Sequence, residues 1–210
     1  MHLYLSSFRI GNRASELQEL ADGRRLGFVP HALDFVPSDR RTESNAAELR
    51  RIRDLGLEVE PLDLSEFFGA PDRLSSYLDE LQGVWIRGGN TFVLRRAMRL
   101  SGFDQALLDR SSEDFLYAGY SAGICVLAPS LDGLQHVDDP TLEVYPGTDV
   151  VWEGLGILDY LILPHYKSDH PESADIEIEV EYCTRNSIPF KTLRDGEVLV
   201  FEGFVPPRSA

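Results

Sequence analysis

Residues 117–123 read Tyr117-Ala118-Gly119-Tyr120-Ser121-Ala122-Gly123. An apolar run leads into a serine that has only small or aromatic neighbours, and a short apolar segment, 124–128, follows it. This is the pattern of a strand that turns sharply into a helix, with the serine at the apex. Such a turn forces unusual dihedral angles on its apex residue, and glycine or alanine beside it leaves room for the neighbouring chain. The hydroxyl then stands at a helix N-terminus, where free N–H groups favour developing negative charge. Ser121 is therefore the candidate nucleophile. Its plainer reading is a helix cap.

Working outward, short apolar runs alternate with amphipathic ones, as β-α units around a parallel sheet require. Strands are expected at 2–8, 26–32, 57–62, 84–87, 115–118 and 160–163, and helices at 14–20, 42–55, 74–81, 91–100 and 103–111. The runs 190–193 and 198–201 flank Asp195-Gly196, a pair suited to the positive φ angles of a two-residue turn, and predict a hairpin. Segment 176–181 alternates Ile176, Ile178 and Val180 with glutamates, which fits a half-buried strand. However, Ile176, Val180 and Cys183 also form a helical stripe, and Pro171-Glu172-Ser173 supplies helix-start chemistry, so we read a helix.

The chain of 210 residues, 43% of them apolar, is long enough for one sizeable core, and a single domain over 1–210 is expected. No apolar run is long enough to span a membrane and no leader is evident, so a cytoplasmic protein is expected. Lys and Arg number 20 against 35 Asp and Glu, a net charge of −15 that repels nucleic acid and anionic lipid alike. Cys125 and Cys183 have neither metal nor redox spacing and read as core thiols.

Gly88-Gly89-Asn90-Thr91 lies between a strand and a helix. Two glycines there let backbone N–H groups approach a ligand, and with the N–H of Ala122 they can form an oxyanion hole. Asn90 is either a substrate contact or the cap of the next helix. Among His2, His31, His136, His165 and His170, only His165 follows an apolar strand at the sheet edge where ligands bind, so it is the candidate base. A metal on His165, Asp169 and His170 is disfavoured by the proline after His170, and no metal or cofactor is expected. The acid that orients the base stays open among Asp138, Asp139, Glu143, Glu153 and Asp195.

Taken together, Gly88-Gly89-Asn90-Thr91-Phe92, Gly119-Tyr120-Ser121-Ala122-Gly123 and Leu163-Pro164-His165-Tyr166 resemble the motifs of peptidase family S51, the dipeptidase E (aspartyl dipeptidase) and cyanophycinase group. The resemblance covers roughly 81–201 by motif and the N-terminal third by pattern. It implies a three-layer α/β/α sandwich related to class I glutamine amidotransferases (flavodoxin-like), small peptide substrates, a homo-oligomer and a serine peptidase mechanism. It also implies a triad whose acid lies in the Leu193-Arg194-Asp195-Gly196 segment, where Asp195 replaces the family's glutamate; Asp138 or Asp139 is the alternative. Aspartyl dipeptidases carry an arginine for the substrate aspartate soon after the histidine. The comparable 171–175 segment here has none, which argues against strict N-terminal Asp specificity and leaves Arg87 as a candidate for a substrate carboxylate. The rival readings are cyanophycinase-like cleavage and a non-catalytic ligand-binding protein on the same scaffold. Glutamine amide transfer would need a thiolate where Ser121 stands.

Overall fold

The computed structural model describes residues 1–207. Along the chain run β1 (His2–Ser6), α1 (Ala14–Ala21), β2 (Arg25–Val29), α2 (Ser38–Asp54), β3 (Glu58–Pro61), α3 (Pro71–Leu78), β4 (Gly83–Ile86), α4 (Thr91–Ser101) and α5 (Phe103–Asp109). They are followed by β5 (Leu116–Tyr120), α6 (Ala122–Cys125), β6 (Leu161–Leu163), α7 (Ser173–Asn186), β7 (Phe190–Thr192) and β8 (Val198–Phe201). The main sheet has the order β3-β2-β4-β5-β1-β8; all its pairs are parallel except β1 with β8.

Because side chains on a strand alternate between faces, a sheet covered on both sides needs two apolar sets from each strand. The chain supplies them. Leu3, Leu5, Val84, Ile86 and Tyr117 point into one core, with Leu74, Leu94 and Phe103 from α3, α4 and α5. Tyr4, Phe28, Trp85, Leu116 and Ala118 point into the other, with Leu17 and Ala21 of α1 and Ile52 of α2. Each such large side chain, fully buried, contributes about 1.5–3 kcal/mol. Crossover handedness explains which helix goes where. Steps from β1 to β2 and from β2 to β3 run one way along the sheet, and those from β3 to β4 and from β4 to β5 run the other. Right-handed connections therefore place α1 and α2 on one face and α3 to α5 on the opposite face. The result is the expected three-layer α/β/α sandwich with a mostly parallel central sheet.

This topology also creates the crevice. From the carboxyl end of β1 the chain departs toward the α1 face, whereas from the neighbouring β5 it departs into α6, whose Ala122 and Ile124 join the α4 core. Ligands in open α/β sheets bind where adjacent strands send their connections to opposite faces.

Segment 176–181 is helical, within α7. The predicted hairpin is not formed. β7 lies parallel beside β6, with Leu161 opposite Phe190 and Leu163 opposite Thr192, while β8 runs antiparallel beside β1, with Leu3 opposite Phe201. The Asp195-Gly196 turn does exist: Gly196 has φ +93° and the Glu197 N–H donates to the Arg194 carbonyl at 2.9 Å. Local turn chemistry is thus right and the pairing is wrong, because the open edges of β1 and β6 each capture one of the two flanking strands. Helix α2 begins at Ser38, four residues ahead of the expected start, directly after Pro37. Cys125 and Cys183 are free and buried. Among the described residues no helix is long and apolar enough to cross a membrane.

Candidate active site

At the end of β5, Ser121 adopts φ +52° and ψ −122°. That region is open to glycine and costly for other residues, on the order of 1–3 kcal/mol. The surroundings hold it there. Its N–H donates to the Ser6 carbonyl at 3.4 Å, and its carbonyl accepts from the N–H groups of Ile124 at 2.8 Å and Cys125 at 3.1 Å. The flanking glycines are required by contact: a Cβ at Gly119 would stand 2.8 Å from the Ile86 carbonyl oxygen and one at Gly123 only 2.5 Å from it. The Tyr117 hydroxyl donates to the Gly123 carbonyl at 2.5 Å, pinning the first turn of α6.

Ile86 precedes the double-glycine loop, so the same contact presses that loop onto the serine. A Cβ at Gly88 would lie 2.8 Å from Ser121 Cβ, and Gly89, at φ +147°, has no room for one beside the Ala32 carbonyl at 2.3 Å. Among the described residues the N–H groups of Gly88, Gly89 and Ala122 have no backbone acceptor. Ser121 itself retains 9% of its surface accessible.

His165 follows β6 with φ +61° and is 1% exposed. Its Nδ1 pairs with Asp195 Oδ1 at 2.7 Å. The same carboxylate oxygen accepts from the Ser7 hydroxyl at 3.0 Å, and the Ser7 oxygen accepts the His165 backbone N–H at 2.9 Å. Asp195 is fixed in turn by its own N–H, which donates to Ser168 Oγ at 2.8 Å. Consecutive residues of the β1 terminus therefore tie down both partners, Ser6 holding the Ser121 backbone and Ser7 holding that of His165. No hydrogen bond joins Ser121 Oγ to His165 among the described residues. Burial, the largest influence, pushes the imidazole below its ordinary 6.5, against the opposing pull of the Asp195 hydrogen bond; the neighbouring His170 lowers it further. His165 is thus neutral near pH 7 and able to accept a proton.

Four candidate residues bond elsewhere. Arg87 is buried, with its guanidinium turned to α2: it donates to Asn45 Oδ1, to Ser44 Oγ at 3.2 Å and to the Gly88 carbonyl at 3.3 Å. It braces the glycine loop from behind. Asn90, read as a substrate contact or a cap, caps α4, its Oδ1 accepting from the Val93 N–H at 2.9 Å and its Nδ2 donating to the Asp139 carbonyl at 3.0 Å. Asp138 accepts from the Thr91 N–H at 2.8 Å and Asp139 from the Thr141 N–H at 2.8 Å, so neither alternative acid touches His165.

Sequence reasoning missed Ser7, Phe8, Ser168 and the stacking of His170. The His165 and His170 rings lie 3.7 Å apart and 9° from parallel, with the Phe8 ring edge-on at 5.7 Å and 5.3 Å respectively. The signal was available for Ser7 and Phe8, which directly follow β1 at the binding edge of the sheet. Together with Glu172, the two histidines place three potential ligand atoms within 4.8 Å of one another. The stacking does not suit one metal ion. Imidazole lone pairs lie in the ring plane, and an ion between parallel planes 3.7 Å apart would meet both rings face-on. His170 Nδ1 also already accepts the Glu172 N–H at 3.3 Å.

The model for peptidase family S51 matches residues 10–204. The chain belongs to peptidase family S51. The family match covers the N-terminal third as well as the three motifs. Peptidase E of Streptomyces coelicolor is 32% identical over 88% of this chain and 70% of its own length. A Drosophila melanogaster protein provisionally named alpha-aspartyl dipeptidase is 30% identical over 96% of this chain and 78% of its own. In three dimensions, a crystal structure from Listeria monocytogenes provisionally named peptidase E superposes with a TM-score of 0.72 at 23% identity, covering 95% of this chain and 97% of that one. A peptidase from an acI-B1 Actinobacterium gives 0.66 at 16% identity, over 95% and 82%. These two establish the shared fold. This family S51 member is a dipeptidase E-like peptidase.

Proposed function

We propose that this family S51 peptidase hydrolyses small peptides as a serine peptidase, with Ser121 as nucleophile, His165 as general base and Asp195 as the acid that orients it. The observation that carries this reading is the 2.7 Å pairing of His165 Nδ1 with Asp195 at the crevice where Ser121 occupies a strained apex. An aspartate so placed fixes the tautomer that leaves Nε2 free and stabilises the imidazolium once formed.

In the reaction, Nε2 takes the Ser121 proton as Oγ bonds to the scissile carbonyl carbon. The oxyanion is held by the N–H groups of Gly89 and Ala122, with Gly88 beside them, each donor contributing roughly 3 kcal/mol. The imidazolium then gives its proton to the leaving nitrogen, the C–N bond breaks, and an ester on Ser121 remains. Water, deprotonated by the same nitrogen, attacks the ester and releases the acid. The backbones of Ser121 and His165 are tied to adjacent residues of one strand end, Ser6 and Ser7, and catalytic contacts of this kind commonly tighten only when substrate is bound.

A fluorophosphonate probe and a panel of free dipeptides test the reading. Labelling confined to Ser121, with dipeptide hydrolysis lost in step, is the expected result; an unlabelled protein that still cleaves dipeptides overturns it. Asp195→Asn is expected to lower kcat/KM by about 10²–10⁴-fold. Because the Asp195 hydrogen bond raises the His165 pKa, its loss must also move the acid limb of the pH profile to lower pH. A variant with an unmoved limb would show that Asp195 does not act through His165.

A further inference from the structure

Resting on the peptidase reading, we infer that Ser7 is a positioning residue of the catalytic pair: by donating to the Asp195 oxygen that faces His165, it draws off part of the carboxylate charge and sets how readily the imidazole takes up a proton. Ser7 directly follows β1 and is fully buried. It reaches partners 158 and 188 positions further along the chain. Its hydroxyl oxygen accepts the His165 backbone N–H at 2.9 Å and lies 3.0 Å from Asp195 Oδ1, the same atom that His165 Nδ1 meets at 2.7 Å.

Hydrogen counting fixes the direction of every bond in this ring of contacts. A backbone N–H can only donate, so the Ser7 oxygen uses a lone pair on His165 and keeps its single proton for an acceptor. Two acceptors compete for it, the Leu193 carbonyl at 3.4 Å and Asp195 Oδ1 at 3.0 Å. The carboxylate is nearer and ionised, and charge-assisted bonds are roughly twice as strong as neutral ones, so it takes the proton. Asp195 Oδ1 therefore receives two donors, one for each lone pair, and itself carries no proton. That leaves Nδ1–H as the donor on His165 and Nε2 as the bare nitrogen.

Sharing one oxygen has an electrostatic consequence. Each donor on a carboxylate stabilises its negative charge and so weakens the pull that the charge exerts on the other donor. The Asp195 bond raises the His165 pKa, so Ser7, by holding part of that charge, opposes the rise and favours the neutral imidazole that can accept the Ser121 proton. The other groups facing His165 are the His170 ring stacked at 3.7 Å, the Phe8 ring, and Glu172, whose Oε2 is 3.9 Å from Nε2. His170 and Glu172 also feel the Asp195 charge. Among the described residues none of these three bonds to Ser7, whose remaining hydrogen bond runs from its own N–H to the Glu197 carbonyl at 3.0 Å. A substitution at position 7 thus leaves every other charge around the imidazole in place.

The test titrates the His165 ring by nitrogen NMR, assigned through its absence from His165→Gln, beside the pH profile of kcat/KM for Ala-Ala. Ser7→Ala is expected to move the titration midpoint and the acid limb up by about half a pH unit or more, roughly a threefold gain in proton affinity and opposite in direction to Asp195→Asn. On the plateau above the limb, kcat/KM should fall about tenfold, because His165 loses the anchor of its backbone N–H. In an Asp195→Asn background the same Ser7→Ala change should move the midpoint far less, since no carboxylate charge is left to share. Ser7→Cys keeps the shape with a weaker donor and should move the midpoint the same way by a smaller amount, which reads the effect even if Ser7→Ala folds poorly. A midpoint that shifts as expected in a protein that cleaves no dipeptide leaves Ser7 tuning His165 and removes the peptidase reading. An unmoved or lowered midpoint, or an equal rise in the Asp195→Asn background, would make Ser7 a structural tether alone and overturn the inference.

Discussion

Ser121→Ala is expected to lower kcat/KM for dipeptides by at least about 10⁴-fold while the protein stays folded. The substitution removes one oxygen from a residue that makes its structural bonds through the backbone alone: the N–H to Ser6, and the carbonyl to Ile124 and Cys125. No side-chain capping bond is lost, since Ser121 makes none. The positive φ is held by Gly119 and Gly123 packed on the Ile86 carbonyl, a constraint that the variant keeps. Stability should therefore move by less than about 1 kcal/mol, read as a melting shift of a few degrees at most. His165 and Asp195 remain paired in the variant because their contacts do not pass through the serine. What survives is the donor pair at Gly89 and Ala122, enough for a residual rate above uncatalysed hydrolysis. Steady-state assay beside a thermal melt checks both halves. Undiminished turnover would remove Ser121 from the reaction, and a collapsed melt would show that the hydroxyl is structural.

How far the sequence could lead is set by the range of each physical constraint. Gly-Tyr-Ser-Ala-Gly is legible because the elbow is a local steric solution, and its two glycines are explained by a single carbonyl, that of Ile86. The parallel sheet is legible because its strands need apolar side chains on both faces. Asp195 is different: its local pattern says only turn, and the turn is there. What brings it to His165 is non-local, the pairing of β7 with β6 and of β8 with β1, which sequence periodicity cannot choose between. The same limit applies to Arg87 and Asn90, each of which the sequence allows both as a substrate contact and as a plain strand-end or cap residue. Each is polar and beside the glycine loop, yet α2 and the 138–139 segment, both distant in sequence, claim them. Glu172 shows the opposite error. Read only as part of a helix start, it lies against the histidine at the centre of the site.

Glu179 is expected to make this protein lose stability as pH rises from about 4.5 to 8, by as much as roughly 5 kcal/mol. It belongs to the inward stripe of α7 with Ile176 and Cys183, and it is fully buried with neither carboxylate oxygen hydrogen-bonded. Burial, reinforced by like charge on Asp138, pushes its carboxyl from 4.5 up to about 8. The sign follows from proton counting. Below pH 4.5 the group is neutral in folded and unfolded chains alike and contributes nothing. Between 4.5 and 8 the unfolded chain releases its proton while the folded one keeps it, so each pH unit favours unfolding by about 1.4 kcal/mol. Above 8 the buried anion carries its full penalty. Asp138 and Glu172, raised to about 6 and about 7, slope the same way over narrower windows. Glu179→Gln abolishes the titration and keeps the shape; the unpaired amide has a cost of its own, but that cost is the same at every pH. Urea unfolding at pH 5, 6.5 and 8.5 should therefore give the variant a clearly shallower decline than wild type, with its advantage growing toward alkaline pH. Parallel declines in the two proteins would mean that Glu179 meets water or a proton donor in the folded state and holds no buried proton.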